Sequence, residues 1–133
     1  MAIQNGTILT DPTAAFTSGT SKTLVLTSQK VANGINCKDM SGADARIRPS
    51  FSFYALPPVY NSKMKTWTKA SKGFSVTEPI LNADGSIDFP VIRVELKDLP
   101  SMTSTQINRH CLWAAQILCS SAFQQFILNG ALA

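Results

Sequence analysis

The chain changes its period once. Up to about residue 100 apolar and polar side chains tend to alternate, the two-residue repeat of a strand; beyond it apolar positions recur every three or four, the repeat of a helix. Lys22-Thr23-Leu24-Val25-Leu26-Thr27 is the firmest early strand. Arg46 to Tyr54 is the most informative: Ile47, Phe51 and Phe53 fall on one face, Arg46, Arg48, Ser50 and Ser52 on the other. Pro49 lacks an N–H, so a bulge or an edge position is expected there. After a turn through Pro57-Pro58 and Asn61-Ser62, strand is expected to resume at Lys63. Lys65, Trp67, Lys69, Ser71, Ser75 and Thr77 share one parity, and Phe74 and Val76 the other, with Gly73 marking a bulge. Asn82-Ala83-Asp84-Gly85 reads as a hairpin turn. Ile87 to Lys97 then directs Ile92, Val94 and Leu96 inward and Phe89, Val91, Arg93 and Glu95 outward. At the front, Ile3 to Thr10 is expected as a short strand turning at Asp11-Pro12. Thr13 to Ser21 is either a second edge strand or a loose connection, and Val31 to Ala43 is loop with room for one short strand.

Thr103-Ser104-Thr105-Gln106 has the spacing of a capping box and opens the first helix. Ile107, Cys111, Ala114, Ala115, Leu118 and Ala122 form its apolar stripe; Gln106, Arg109, Gln116 and Ser120 form the polar one, with Trp113 inside it and His110 and Ile117 at its edge. Ser120-Ser121 is a break. A short second helix carrying Phe123, Phe126, Ile127 and Leu128 ends at Asn129-Gly130. Two readings fit: a pair of core helices on one sheet, or helices lying across another subunit. Strands followed by helices make an α+β layout, one sheet face apolar and the other basic and hydroxyl-bearing.

Composition sharpens this. The chain has 133 residues, 15% charged and 44% hydrophobic, which suits one domain that hides surface in an assembly. No run of apolar residues reaches membrane-spanning length. The start at Met1 carries no export signal pattern. Cys37, Cys111 and Cys119 have no CxxC pairing and read as free thiols, with no metal site expected. The formal charge is +4, and between Asp44 and Glu78 lie six basic residues (Arg46, Arg48, Lys63, Lys65, Lys69, Lys72) and no acidic one. That block suits a polyanion such as nucleic acid, or a solvated lysine-rich edge.

Chemistry for catalysis is thin. His110 is the sole histidine, and adjacent helical positions 110 and 111 point about 100° apart, so they form no Cys/His dyad. Phosphate-binding glycine loops are missing. No enzyme activity and no cofactor are expected.

Lys22-Thr23-Leu24-Val25-Leu26, Arg46-Ile47-Arg48-Pro49-Ser50-Phe51-Ser52-Phe53, Val91-Ile92-Arg93-Val94-Glu95-Leu96 and Gln116-Ile117-Leu118-Cys119-Ser120-Ser121-Ala122-Phe123, with Ile127-Leu128-Asn129-Gly130, resemble in order and spacing the coat proteins of single-stranded RNA bacteriophages. The resemblance implies a single α+β domain over 1–133 with an N-terminal β-hairpin (1–21), a five-stranded antiparallel sheet (22–99) and two C-terminal helices (103–133), in an intertwined homodimer whose helices cross the partner's sheet. It implies an icosahedral shell assembled in the bacterial cytoplasm around genomic single-stranded RNA, and in this family often recognition of an RNA hairpin that represses translation. By the same resemblance Arg46, Arg48, Ser50, Ser52, Lys69, Ser75, Thr77 and Arg93 are the RNA-binding candidates. The helix stripes supply the dimer-interface candidates Ile107, Cys111, Trp113, Ile117, Leu118, Phe123, Phe126 and Ile127. Phe89 and Val91 depart from the tyrosine and polar residue that relatives often carry. The alternative is a non-viral dimeric module that binds single-stranded nucleic acid without forming shells.

Overall fold

A computed structural model describes residues 7–12 and 16–130. Contacts within the chain divide into two compact units: residues 19–100, and residues 1–18 together with 101–133.

The first unit is built from nine strands: β1 (Leu24–Leu26), β2 (Gly34–Asp39), β3 (Ser50–Leu56), β4 (Tyr60–Asn61), β5 (Thr66–Trp67), β6 (Ala70–Thr77), β7 (Ile80–Leu81), β8 (Ile87–Asp88) and β9 (Val91–Asp98). Five of them form one antiparallel sheet in the order β1-β2-β3-β6-β9, as expected for the fold. The remaining four make two small hairpins, β4-β5 and β7-β8. Because β3, β6 and β9 are joined consecutively, these hairpins extend the sheet's connections at opposite ends of β6.

Register fixes the faces. Phe51, Phe53, Val76, Phe74, Ile92, Val94, Ile35 and Cys37 lie on one side, Ser50, Ser52, Ser75, Thr77 and Arg93 on the other. The strand alternation therefore has the parity its side-chain pattern predicts, and β6 runs without the bulge expected at Gly73, which pairs with Tyr54 on one flank and Glu95 on the other. A Cβ at Gly73 would come 2.5 Å from the Val94 carbonyl oxygen and 2.8 Å from the Tyr54 ring, so glycine lets the aromatic ring lie across the strand.

The one strand allowed for within Val31 to Ala43 is Gly34–Asp39, six residues long, its weak strand propensity overridden by pairing to β1 and β3. Four other expectations are corrected. Arg46 and Arg48 are not on β3: Asp44 caps a 3-10 turn at Ala45–Ile47, and pairing resumes only where the Pro49 carbonyl accepts from the Asp39 N–H at 3.1 Å. Lys63 to Lys69 is not continuous strand but the β4-β5 hairpin and its exit. Ile87 to Lys97 is divided at Phe89-Pro90 into β8 and β9, proline having no N–H to give the ladder. Of the N-terminal hairpin, 1–6 and 13–15 lie outside the described residues, and Thr7 to Pro12 and Phe16 to Ser21 contain no strand.

In the second unit α1 (Ser104–Cys119) has the predicted capping box, with Gln106 N–H donating to Thr103 Oγ1 at 3.2 Å and Thr103 N–H to Gln106 Oε1 at 2.9 Å. No Gly or Pro interrupts it. Ser120 adopts an extended conformation, ends α1 and accepts from the Ala122 N–H. A 3-10 turn at Ser121–Phe123 leads into α2 (Gln124–Asn129), stopped by left-handed Gly130 (φ 67°). The axis bends by 62° at this elbow, and no single helix is long and apolar enough to cross a membrane. Phe123 is packed at the elbow and is the one buried apolar side chain among the described residues.

The polar stripe of α1 is occupied. Gln116 holds the Leu9 backbone like a strand partner, accepting from its N–H at 2.7 Å and donating to its C=O at 2.9 Å. Arg109 forms a two-point ion pair with Asp11 at 2.9 Å. Hydrogen bonds from that guanidinium hold the Asp11 carboxyl below the usual range. A lowered carboxyl stabilises above the ordinary aspartate range and loses that contribution as pH falls through the lowered value. Amide-exchange protection at Leu9 should therefore weaken on acidification below that range, and Asp11→Asn should show the weakened protection already at neutral pH. Protection that ignores both changes would mean that Gln116 alone holds the segment.

Candidate nucleic-acid interface

The polar face of the sheet is organised around Asn36, which is 1% exposed. An unsatisfied amide there would be costly. It is instead bonded on both sides: Nδ2 donates to Ser50 Oγ at 2.8 Å and Ser52 Oγ at 2.9 Å, and Oδ1 accepts from Thr27 Oγ1 at 2.6 Å. The two serines thus spend an acceptor on Asn36 and keep their hydroxyl protons for a ligand acceptor.

Beside this network Tyr54 lies over Gly73, opposite Gly34 on its other flank. A hollow of about 600 Å³ is lined by Lys30, Ser52, Tyr54, Ser75, Arg93 and Glu95, among others. It combines a half-buried aromatic ring, two hydroxyls and two cations, the groups that hold an unstacked base and its phosphate. Glu95 is engaged at the edge, accepting from Ser71 Oγ at 2.8 Å, with Lys97 at 3.8 Å.

The structure places the candidates unequally. Ser50, Ser52, Ser75, Thr77 and Arg93 share this face. Lys69 precedes β6 and is outside the ladder. Arg46 is turned back onto Asp44 through bonds of 2.9 and 3.1 Å, which lower the Asp44 carboxyl and raise the guanidinium. Arg48 Nε donates to the Gly42 carbonyl at 2.9 Å. Lys72, part of the basic block, belongs to the apolar face and pairs with buried Asp98 at 2.8 Å. Lys30, Asn36, Lys38 and Tyr54 belong to this face in addition to the residues predicted from the sequence. Lys38 is opposite Ser50 on the polar face, and the parity of β2 would have found it had that strand been recognised.

Of the dimer-interface candidates, Cys111, Ile117, Leu118 and Ile127 are exposed, Ile107, Trp113 and Phe126 half-buried, and Phe123 buried. His110 stacks on Trp113 with ring centres 5.7 Å apart, a packing role. No group of His, Cys, Asp and Glu among the described residues could hold a metal ion.

This sheet with its two helices is the fold of bacteriophage coat proteins. Against solved structures the chain matches the virus-like particle of bacteriophage GQ-907 with a TM-score of 0.91 and 27% identity, over 99% of this chain and 100% of that one. Particles of bacteriophages AVE019 (TM-score 0.64, 13% identity, 83% of this chain and 86% of that) and ESE058 (0.61, 14%, 87% and 99%) share the fold. No family model matches the chain, and no curated protein does. The full-length match bears out the resemblance read from the sequence, and the class it defines is structural and not enzymatic.

If Asn36 organises this face, Asn36→Ala should cost about 1–3 kcal/mol by stranding three hydroxyl partners. Thermal unfolding should show it, with Ser50→Ala costing less. Equal midpoints for wild type and Asn36→Ala would mean that the network is incidental.

Proposed function

We propose that the chain is the coat subunit of a single-stranded RNA bacteriophage. Two copies interlock through their helices, the dimers close into an icosahedral shell in the bacterial cytoplasm, and the polar sheet face holds the genome in the virion. The observation that carries this reading is the full-length correspondence with the subunit of the GQ-907 particle. The chemistry of the two faces supports it. On the apolar face Leu26 is 64% exposed, Ile92 57% and Ile35 50%. On the helices Leu118 is 41% exposed. An antiparallel sheet tolerates one wet face only if that face is polar. A second chain whose helices cover the apolar face supplies the missing half of the core.

For RNA, Arg93, Lys30 and Lys38 neutralise phosphate, Ser50, Ser52, Ser75 and Thr77 donate hydroxyls, and Tyr54 stacks a base. Arg48 and Lys69 act from the connecting segments, whereas Arg46 is held by Asp44. Recognition of one RNA hairpin would concentrate in the hollow around Tyr54. A non-viral module that binds single strands shares this face but predicts dimers without particles.

Expression in bacteria followed by electron microscopy tests the reading: closed particles containing RNA are expected, and soluble dimers alone would contradict it. Lys38→Glu with Arg93→Glu should yield particles depleted of RNA, read by the ratio of absorbance at nucleic-acid and protein wavelengths. Unchanged RNA content would put the RNA on another surface. Leu118→Asp should abolish dimer and fold together, since it buries an unpaired carboxylate; a folded L118D dimer in sedimentation would show that this stripe is not the interface.

A further inference from the structure

The two small hairpins carry opposite charge. From Gly73 to Ile92 the chain has three acidic residues, Glu78, Asp84 and Asp88, and no basic one. All three are exposed on or beside the β7-β8 hairpin. The β4-β5 hairpin and its exit carry Lys63, Lys65 and Lys69, all exposed, with no acidic residue. None of these three lysines has an ion-pair partner among the described residues.

Both hairpins also present apolar groups to solvent. On the basic one Tyr60 and Trp67 face each other across the strands at 5.2 Å, 47% and 53% exposed, and Met64 at the tip is 70% exposed. On the acidic one Ile80 is 52% exposed, and Phe89 just beyond it 62%. Each is therefore an apolar patch ringed by a single sign of charge, the composition of an interaction site.

Within one chain the two cannot meet. They leave opposite ends of β6, whose eight residues span about 25 Å. That is about three Debye lengths at physiological salt. We infer that the basic β4-β5 hairpin of one copy docks on the acidic β7-β8 hairpin of a neighbouring copy. This contact between unlike surfaces joins subunits head to tail and closes around a rotation axis. The inference rests on the proposal that the chain forms a shell, and it assigns the contact between dimers. RNA is the competing occupant of the basic hairpin, but RNA offers nothing to the acidic one, whereas a second copy matches both in charge and in apolar surface.

Charge reversal tests it. Lys63→Glu with Lys65→Glu, and separately Glu78→Lys with Asp88→Lys, should each leave folded dimers while lowering particle yield about tenfold or more, because like charges then face each other. Combining all four substitutions in one chain, or mixing the two reversed dimers, should restore particles. Neutral Lys63→Gln with Lys65→Gln guards against misfolding and should give an intermediate yield that no longer falls as salt is raised. Reversed lysines that leave yield intact, or a loss that the opposite reversal does not rescue, would overturn the inference. Intact particles with less RNA would assign the basic hairpin to RNA instead. A wild-type chain that makes no particle at all would remove the shell reading as well, whereas wild-type particles without rescue remove only this contact.

Discussion

The apolar face of the five-stranded sheet is the constraint on which everything else depends. Phe51, Phe53, Phe74, Val76, Ile92 and Val94 line it because of strict alternation along three long strands. Full burial of each such side chain is worth about 1.5–3 kcal/mol, and much of that is unrealised while Phe53 and Ile92 stand 38% and 57% exposed. Lys72 and Asp98 stand on the same face and answer each other at 2.8 Å, so the one charged pair there can be covered without an orphan ion. In the proposed dimer the partner's α1 and α2 complete this core, which makes association part of folding.

The same alternation makes the second face. The alternation that puts Phe51 and Phe74 on one face puts Ser52 and Ser75 on the other, so the apolar face and the polar face are two consequences of one pattern. Asn36 ties the polar face together from within, and Tyr54 resting on Gly73 gives it an aromatic platform. The face is modestly charged. Lys38 and Arg93 lie on it while Arg46 spends its guanidinium on Asp44, which suits many weak, salt-sensitive contacts along a polyanion.

Much of the fold was legible in the sequence, because long alternating strands and a capped amphipathic helix are local patterns. The Thr103-Gln106 box, the Ser120 elbow, the Gly130 stop and the Asn82–Gly85 turn all lie where their side chains predict. What escaped was set by tertiary context. Gly34-Ile35-Asn36-Cys37-Lys38-Asp39 looks like loop until neighbouring strands supply partners for Asn36. Arg46 and Arg48 keep the parity of β3 on paper, but Asp44 turns the backbone at Ala45–Ile47 before the ladder begins. The site was half legible for the same reason: the hydroxyls of β3 and β6 follow from alternation, whereas Lys38 and Tyr54 become visible only once register joins β2 to β3. The polar stripe of α1 was legible from its spacing, but the partner of Arg109 and Gln116 was not. What it holds is the chain's own Leu9 and Asp11.

What covers the apolar face of the sheet is the deciding question. A cryo-electron microscopy map of the expressed particle, traced through the segment joining β9 to α1, answers that directly. The helices α1 and α2 of each chain are expected to lie across the partner's Phe53, Phe74 and Ile92. Helices traced back over their own chain's sheet, or a sheet face left open to solvent in the assembled particle, would contradict that arrangement.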